Sequence, residues 1–555
     1  MKQTCPVSGK EFIVTQFEQD FLKKIAPTFA GKTFEIPLPK LCPEERMRLR
    51  TLHRNEQFLY RNVSAFSQQN VISIYPTDTD FTIVSKDEWF SDTWDGLDYG
   101  TDFDFSKNFF EQFQVLRKKV PRASTVNEQN ENCEYTTGTA YSKNCYLINS
   151  SENCEDCYYS KLLQQCTNVV DSAYCYDSEL LYECFNVKNC YDCKYTYNAQ
   201  NSSDCWFCDD IKNCQNCFLS TNLVGQQYVF MNQKLSKDEY EKRIQTILNS
   251  KEHWEKCFSL FKDVQKNRWY KYAQILNSEN CTGDFIANSQ NCLNCYDVTK
   301  SQDCLNVQVG VEVKDLLDCS NMYLKPELSY SVLGTINTYN VHFCLYVFNS
   351  NNVFYSELCY NCQNCFGCVG LRNNKYCIFN KQYSPEEYEN TVTKIIEHMQ
   401  TTGEWGQFFP AWMSTFPYNK SLAYEYLPLT KEEAIARNYQ WESPKTKSFL
   451  PQNYAIPNRI EDTPDDICTK ILACEVSGEN YRIQPAELRF YRTMNLPIPK
   501  KCPNTRYQER MKMRNERKLY QRKCVKSGEA IATTFAPNRP EKILCEKEYQ
   551  KIIHG

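Results

Sequence analysis

Between residues 133 and 223 the inward pattern repeats every three residues. Thirteen cysteines stand at 133, 145, 154, 157, 166, 175, 184, 190, 193, 205, 208, 214 and 217, and every gap is a multiple of three. Filling in the comb gives 31 positions: 13 Cys, 7 Ser, 3 Thr, 2 Ile, 3 Leu, 2 Val and 1 Ala, none charged, amide or aromatic. A strand alternates with period two and a helix with 3.6, so neither yields a strict three. Very short strands broken by regular corners do, and the pattern predicts a tight β-solenoid with a narrow interior. The residue before the comb position is often Asn or Asp (Asn144, Asn153, Asp156, Asn168, Asn186, Asn189, Asp192, Asn213, Asn216). Both tolerate the left-handed backbone that corners need. Aromatics such as Tyr146, Tyr158, Tyr176, Phe185, Tyr191, Trp206 and Phe218 follow the comb position and are expected to face outward in ladders.

Cysteines recur at nine (157, 166, 175, 184, 193) and at twelve (133, 145, 157 and 193, 205, 217). Twelve, with four inward positions per turn, is the preferred coil length. The comb returns in a new phase from Ser329 to Leu371, after a looser stretch through Cys281, Cys292, Cys295 and Cys304. The two blocks match at an offset of 148: Cys217-Phe218, Leu223, Tyr228 and Asn232 correspond to Cys365-Phe366, Leu371, Tyr376 and Asn380. Duplication of this kind marks a repeat architecture. After each block Ser236-Lys-Asp-Glu239 and Ser384-Pro-Glu-Glu387 are helix-capping signatures, and the helices are expected to brace the open ends.

The ends of the chain are related to each other. Cys5-Pro-Val-Ser8-Gly9 parallels Cys474-Glu-Val-Ser477-Gly478, and Cys42-Pro43 with Arg46 parallels Cys502-Pro503 with Arg506. Cys524-Val-Lys-Ser527-Gly528 and Cys545-Glu-Lys-Glu548 continue the C-terminal copy. A zinc ribbon uses two CxxC knuckles. Here each second cysteine is Ser, Thr or Glu, which leaves Cys524, Cys545 and Glu548 as the best zinc candidates and Cys474 and Cys502 as the next, against a ribbon that packs without metal. The expected segments are therefore a ribbon-like module at 1–95, an acidic, aromatic connector at 96–130, solenoid blocks at 131–230 and 277–380, helical braces at 231–276 and 381–440, a linker at 441–467 and a second ribbon-like module at 468–555. The fold class is mainly β with α segments.

The knuckle-like ends, Trp94-Asp95 through Asp98-Tyr99-Gly100 to Asp102-Phe103-Asp104-Phe105, Asn132-Cys133 and Cys365-Phe366-Gly367-Cys368 together resemble a cysteine-rich, zinc-ribbon-like/β-solenoid family of candidate-phyla bacteria, over nearly the whole chain. Relatives have fuller CxxC knuckles, and this sequence departs from them at each second ligand, so metal binding does not carry over with the resemblance. Some members carry a CoA-transferase label, for which this sequence shows no active-site constellation.

Charge adds one more candidate. Overall, 64 basic residues balance 68 acidic ones, so a nucleic-acid surface would have to be local. The stretch 501–523 is net +7, with Arg510, Arg514, Arg517 and Arg522 as candidate phosphate contacts; Arg46, Arg48, Arg50, Arg54 and Arg61 form its N-terminal counterpart. The stretch 76–107 is net −7 and is a natural internal partner, so charge matching within the chain or with a protein partner is preferred to nucleic acid. Cys359, Cys362, Cys365 and Cys368 imitate a ferredoxin run, but the last gap is two residues and the same comb holds Val and Thr elsewhere. With 16 glycines and 5 histidines scattered through 555 residues, no Walker loop, GxGxxG or GxSxG occurs. No signal core or membrane span is expected, which points to the cytoplasm and to reduced thiols. The leading expectation is a non-enzymatic scaffold with a protein or nucleic-acid partner; the alternatives are a nucleic-acid- or ribosome-associated protein and a thiol-rich metal or redox protein.

Overall fold

A computed structural model of the chain describes residues 1–248, 253–443 and 448–554. Among them the protein is mainly β with twelve α-helices, and two sheets of fourteen strands each dominate. In both sheets the strands pair in parallel with a partner one coil ahead. Thr137 lies beside Asn149, Ser203 beside Gln215 and Tyr339 beside Asn351, so the repeat is twelve residues. From Asn132 to Asn222 every third residue has a positive φ, and Gly138 takes the one place where the residue is glycine. The corner sits immediately before each inward side chain, where Asn and Asp were expected. Leu162, Tyr174, Leu180, Tyr195, Phe207 and Leu219 adopt it as well, at about 1 kcal/mol or more each.

Inward side chains fill the ladder and also complete its hydrogen bonding. Ser172 Oγ donates to the carbonyl of Val170 (2.9 Å) and accepts the N–H of Cys184, one coil on (3.0 Å). Cys184 Sγ donates to the carbonyls of Tyr182 (3.5 Å) and Cys193 (3.3 Å). Corner N–H groups that no strand reaches would otherwise be orphaned in a dry interior, at a cost of about 1–3 kcal/mol each. Small residues with a polar tip meet both demands.

The second ladder runs from Cys281 to Cys377, and the stretch that reads as looser in the sequence is as regular as the rest. Its teeth at 292, 295, 298, 301, 304, 307, 310, 313, 316, 319 and 322 are regular. The phase changes because one coil has thirteen residues: Lys314 pairs with Glu327 and Cys319 with Val332. Leu324 and Lys325, both left-handed, make the extra corner before Pro326. An eleven-residue coil opens the same ladder, with Ile275 beside Ile286.

The last coils close with antiparallel strands Gln233–Lys234 and Lys381–Gln382, and the helices Lys237–Leu248 and Pro385–Thr402 follow. Ser384 caps the second of these with a full capping box. The flanking segments dock crosswise. Phe21, Leu22, Trp89, Trp94 and Phe109 from the start of the chain pack on Tyr330, Tyr355, Phe366 and Phe379 of the second ladder. Ile467, Leu488, Tyr491 and Leu496 from its end pack on Tyr159, Tyr182 and Tyr195 of the first. Among the described residues no ion pair joins the acidic stretch to the basic one. The acidic stretch is pinned to the second ladder by its own aromatics, with Trp89 against Tyr360 (ring centroids 5.2 Å apart) and Phe103 against Phe379 (5.5 Å).

This core is narrow enough to test by size. Cys205 is fully buried and donates to the carbonyl of Ser203 at 3.1 Å. Cys205→Ser keeps that bond and is expected to cost about 1 kcal/mol, whereas Cys205→Leu overpacks the coil and is expected to cost about 1–3 kcal/mol or more. Denaturant melts of the two variants check the order.

Candidate functional site

The helix Pro503–Met511 follows Cys502, and its basic side chains turn inward. Arg506 and Arg510 both pair with Asp171 of the first ladder, the latter at 3.1 Å. Arg506 also faces Glu487 (3.6 Å), and Arg510 faces Glu183 (3.3 Å). The helix Pro43–Thr51 repeats this on the second ladder, where Arg46 pairs with Asp318 and with Glu18 (2.7 Å), and Arg50 lies 3.7 Å from Asp318. Asp171 and Asp318 are equivalent corner residues, and the strand acids Asp209 and Glu357 are equivalent to each other at the 148-residue offset. Arg268 takes Asp209; Arg117 and Arg122 grip Glu357 from both sides. Burial pushes the Glu357 carboxyl up, but the two guanidinium groups overcome this and hold it far below the usual range.

Arg514 and Arg517 both pair with Asp297 of the second ladder. The Arg514 guanidinium is sandwiched between Tyr174 of the first ladder (4.3 Å) and Phe285 of the second (3.8 Å). Lys161 of the first ladder reaches Glu56 (3.0 Å) and Glu425. Burial raises the Glu56 carboxyl, yet Lys161 and Arg54 bring it down to about 2. Arg510 and Arg517, expected to contact phosphate, are therefore buried structural cations, and Arg514, partly exposed, is likewise engaged inside the protein. Arg522 is half-buried and donates to the carbonyls of Ala536 (3.2 Å) and Glu541 (3.3 Å).

Four hairpin turns share one geometry at the candidate metal positions. The N–H groups of Gly9, Gln68, Gly478 and Gly528 donate to the carbonyls of Cys5, Ser64, Cys474 and Cys524 at 2.8–3.0 Å. Each turn faces a residue that begins a helix: Cys42, Ser85, Cys502 and Cys545. The turn at Ser64 escaped the sequence comparison because serine replaces both cysteines. Its Ser64 hydroxyl (2.6 Å) and the N–H groups of Ser67 (2.9 Å) and Ser85 (2.7 Å) donate to Glu88, and the Ser64 and Ser67 bonds lower that carboxyl to about 2. In the turn of Cys474 and Cys502, Thr505 Oγ1 lies 3.4 and 3.2 Å from the two sulfurs. Burial pushes the Cys474 thiol up, and the bonds from Ser477 and Thr505 more than offset it, to about 6. Ser527 Oγ lies 3.6 Å from Cys545, while Glu548 turns away to accept from Lys551 (2.6 Å).

A structural zinc takes four donors, mostly thiolate or imidazole. Each cysteine turn offers two sulfurs, with hydroxyls already bonded to them or, in the last, a carboxylate engaged elsewhere. Zinc does not fit this set, and among the described residues no three His, Cys, Asp or Glu side chains converge on a metal-sized site. The ladder thiols are buried, as at Cys175, Cys184 and Cys344, and burial raises all three.

What stays open is one corner of the coil. Tyr141, Asn153, Gln165, Asp177, Asn189, Asn201 and Asn213 are exposed at the same corner of successive coils. Asn189 Nδ2 donates to Asn201 Oδ1 (2.9 Å), and Asn201 Nδ2 to Asn213 Oδ1 (3.0 Å). The equivalent column on the second ladder includes Asn337 to Asn349 (3.2 Å) and Asn361 to Asn373 (3.0 Å). Shallow furrows run beside both columns.

No family model matches the chain, and no curated protein matches it. A solved structure from Desulfovibrio desulfuricans G20, provisionally called an acetyltransferase, aligns with 46% of this chain and 74% of its own at 8% identity and a TM-score of 0.11. A superposition of that quality carries no argument. No described helix is long and apolar enough to cross a membrane.

Breaking one clamp is expected to cost far more than removing an outer arginine. Asp171→Asn leaves Arg506 and Arg510 buried without their shared carboxylate, at about 3–5 kcal/mol, while Arg522→Ala stays within about 1 kcal/mol. Urea unfolding, with limited proteolysis across 441–467 as the sign of an undocked C-terminal segment, checks both. Thiol reactivity gives a second check. All cysteines are buried except Cys133, Cys281 and Cys468, so mass-spectrometric mapping after brief native alkylation is expected to find these three labelled first, and the buried ladder cysteines only after denaturation.

Proposed function

We propose that the chain is a non-enzymatic binding scaffold. In this reading the two ladders are cysteine-rich β-solenoid blocks and the hairpin turns are ribbon-like modules that have given up metal and serve as clamps. Kinship with the cysteine-rich family of candidate-phyla bacteria belongs to the same proposal, supported by the shared ends and the inward cysteines. The observation that carries the reading is the open corner that runs along both ladders, while their aromatic flanks are covered by docked segments. A repeat protein offers its partner a long, preformed surface of this kind, and a rigid surface loses little entropy on binding. Of the arginines that would have favoured nucleic acid, Arg510, Arg514 and Arg517 are engaged by the protein's own carboxylates.

The test is capture of macromolecules from native cell extract on the immobilised chain, compared with Asn201→Lys and Asn349→Lys. Both substitutions lie on the open corner, and melting temperatures are expected to stay unchanged. The scaffold reading expects both variants to lose the captured material. Capture that survives both substitutions, or that disappears on nuclease treatment, overturns it.

A further inference from the structure

The open corner carries more than amides. In the register column next to it, one exposed aromatic stands on each ladder, Tyr191 at 48% and Tyr339 at 50% exposure. They are equivalent residues at the 148-residue offset, and each sits two positions after a column amide, Asn189 and Asn337. The same site is thus built twice.

The floor beside each tyrosine is closed to strand addition. Cys190 N–H donates to Ser178 Oγ (3.0 Å), Cys214 N–H to Ser202 Oγ (3.1 Å) and, on the second ladder, Cys362 N–H to Ser350 Oγ (2.9 Å). With these groups satisfied, an extended peptide has no ladder to extend. The walls also disfavour two other polymers. The first furrow is lined by Asp177 and Glu179 and by no lysine or arginine, which repels a phosphate backbone. Tyr191 is its one aromatic residue, too little apolar surface for the core of a protein interface.

The remaining chemistry is that of a polyol. Asn201 spends one N–H on Asn213 and one lone pair on Asn189 and keeps another of each, which suits hydroxyl groups that donate and accept. An exposed tyrosine offers a flat face to a ring and a hydroxyl at its rim. Rungs repeat every ~4.8 Å along the ladder, close to the advance per ring of an extended β-1,4-linked glycan. We infer that the open face beside each amide column binds a linear, β-linked polysaccharide along the ladder axis, with one pyranose ring stacked on Tyr191 and another on Tyr339. This rests on the scaffold reading and names its ligand class.

Isothermal titration of the intact chain with cellohexaose and chitohexaose, with α-linked maltohexaose as control, tests it. The expected result is binding of at least one β-linked hexamer at two sites per chain and none of maltohexaose. Tyr191→Ala and Tyr339→Ala are each expected to leave one site at full strength, and the double variant to weaken binding about tenfold or more. Asn201→Ala is expected to weaken the first site alone. The inference is overturned if neither β-linked hexamer binds at millimolar concentration, if maltohexaose binds equally well, or if the double variant binds like the parent. Should it fail while Asn201→Lys and Asn349→Lys still abolish capture from extract, the scaffold reading stands and only the glycan falls.

Discussion

Each coil of twelve residues has room inside for four small side chains, and those side chains must also serve its corner amides. This constraint governs the rest of the structure. A left-handed residue at every third position turns the next side chain inward, and the resulting interior is too narrow for rings and too dry for unmatched N–H groups. Cysteine, serine, threonine and valine share the positions because they have similar size, and the first three can also bond the backbone. The sulfur is present for its volume and its weak donor.

A rod built this way has no broad core of its own, so its flanks must be covered. Aromatic residues at the corners supply the apolar surface, and the terminal segments cover them, each held by a buried arginine pair on a single ladder carboxylate, Asp171 or Asp318. Such pairs add little net stability over apolar packing but are costly to break singly, and they fix where a module docks. The sandwich of Arg514 between Tyr174 and Phe285, and the bridge from Lys161 to Glu56, tie the two ladders into one body.

The period of three, the twelve-residue coil, the capped helices and the related ends were legible in the sequence because each imposes a residue type at a fixed interval. Charge matching within the chain was legible too, but its partner was not. Asp171 and Asp318 occupy corners, where Asp is expected for backbone reasons, and nothing in the sequence separates them from the exposed Asp177. The thirteen-residue coil concealed the continuity of the second ladder, since one added residue shifts every later tooth. The turn at Ser64 was invisible because its hydrogen bonds to Glu88 do with serine what the other turns do with cysteine.

The crosswise docking has a consequence for biosynthesis. The first ladder leaves the ribosome well before the segment that covers Tyr159, Tyr182 and Tyr195, so its aromatic flank stays wet until residues 460–502 have been made. The N-terminal module, made earliest, waits in turn for its own seat on the second ladder. Order of translation and order of assembly therefore run in opposite senses, and a ribosome stalled late in the message would release a long rod with its sticky side bare.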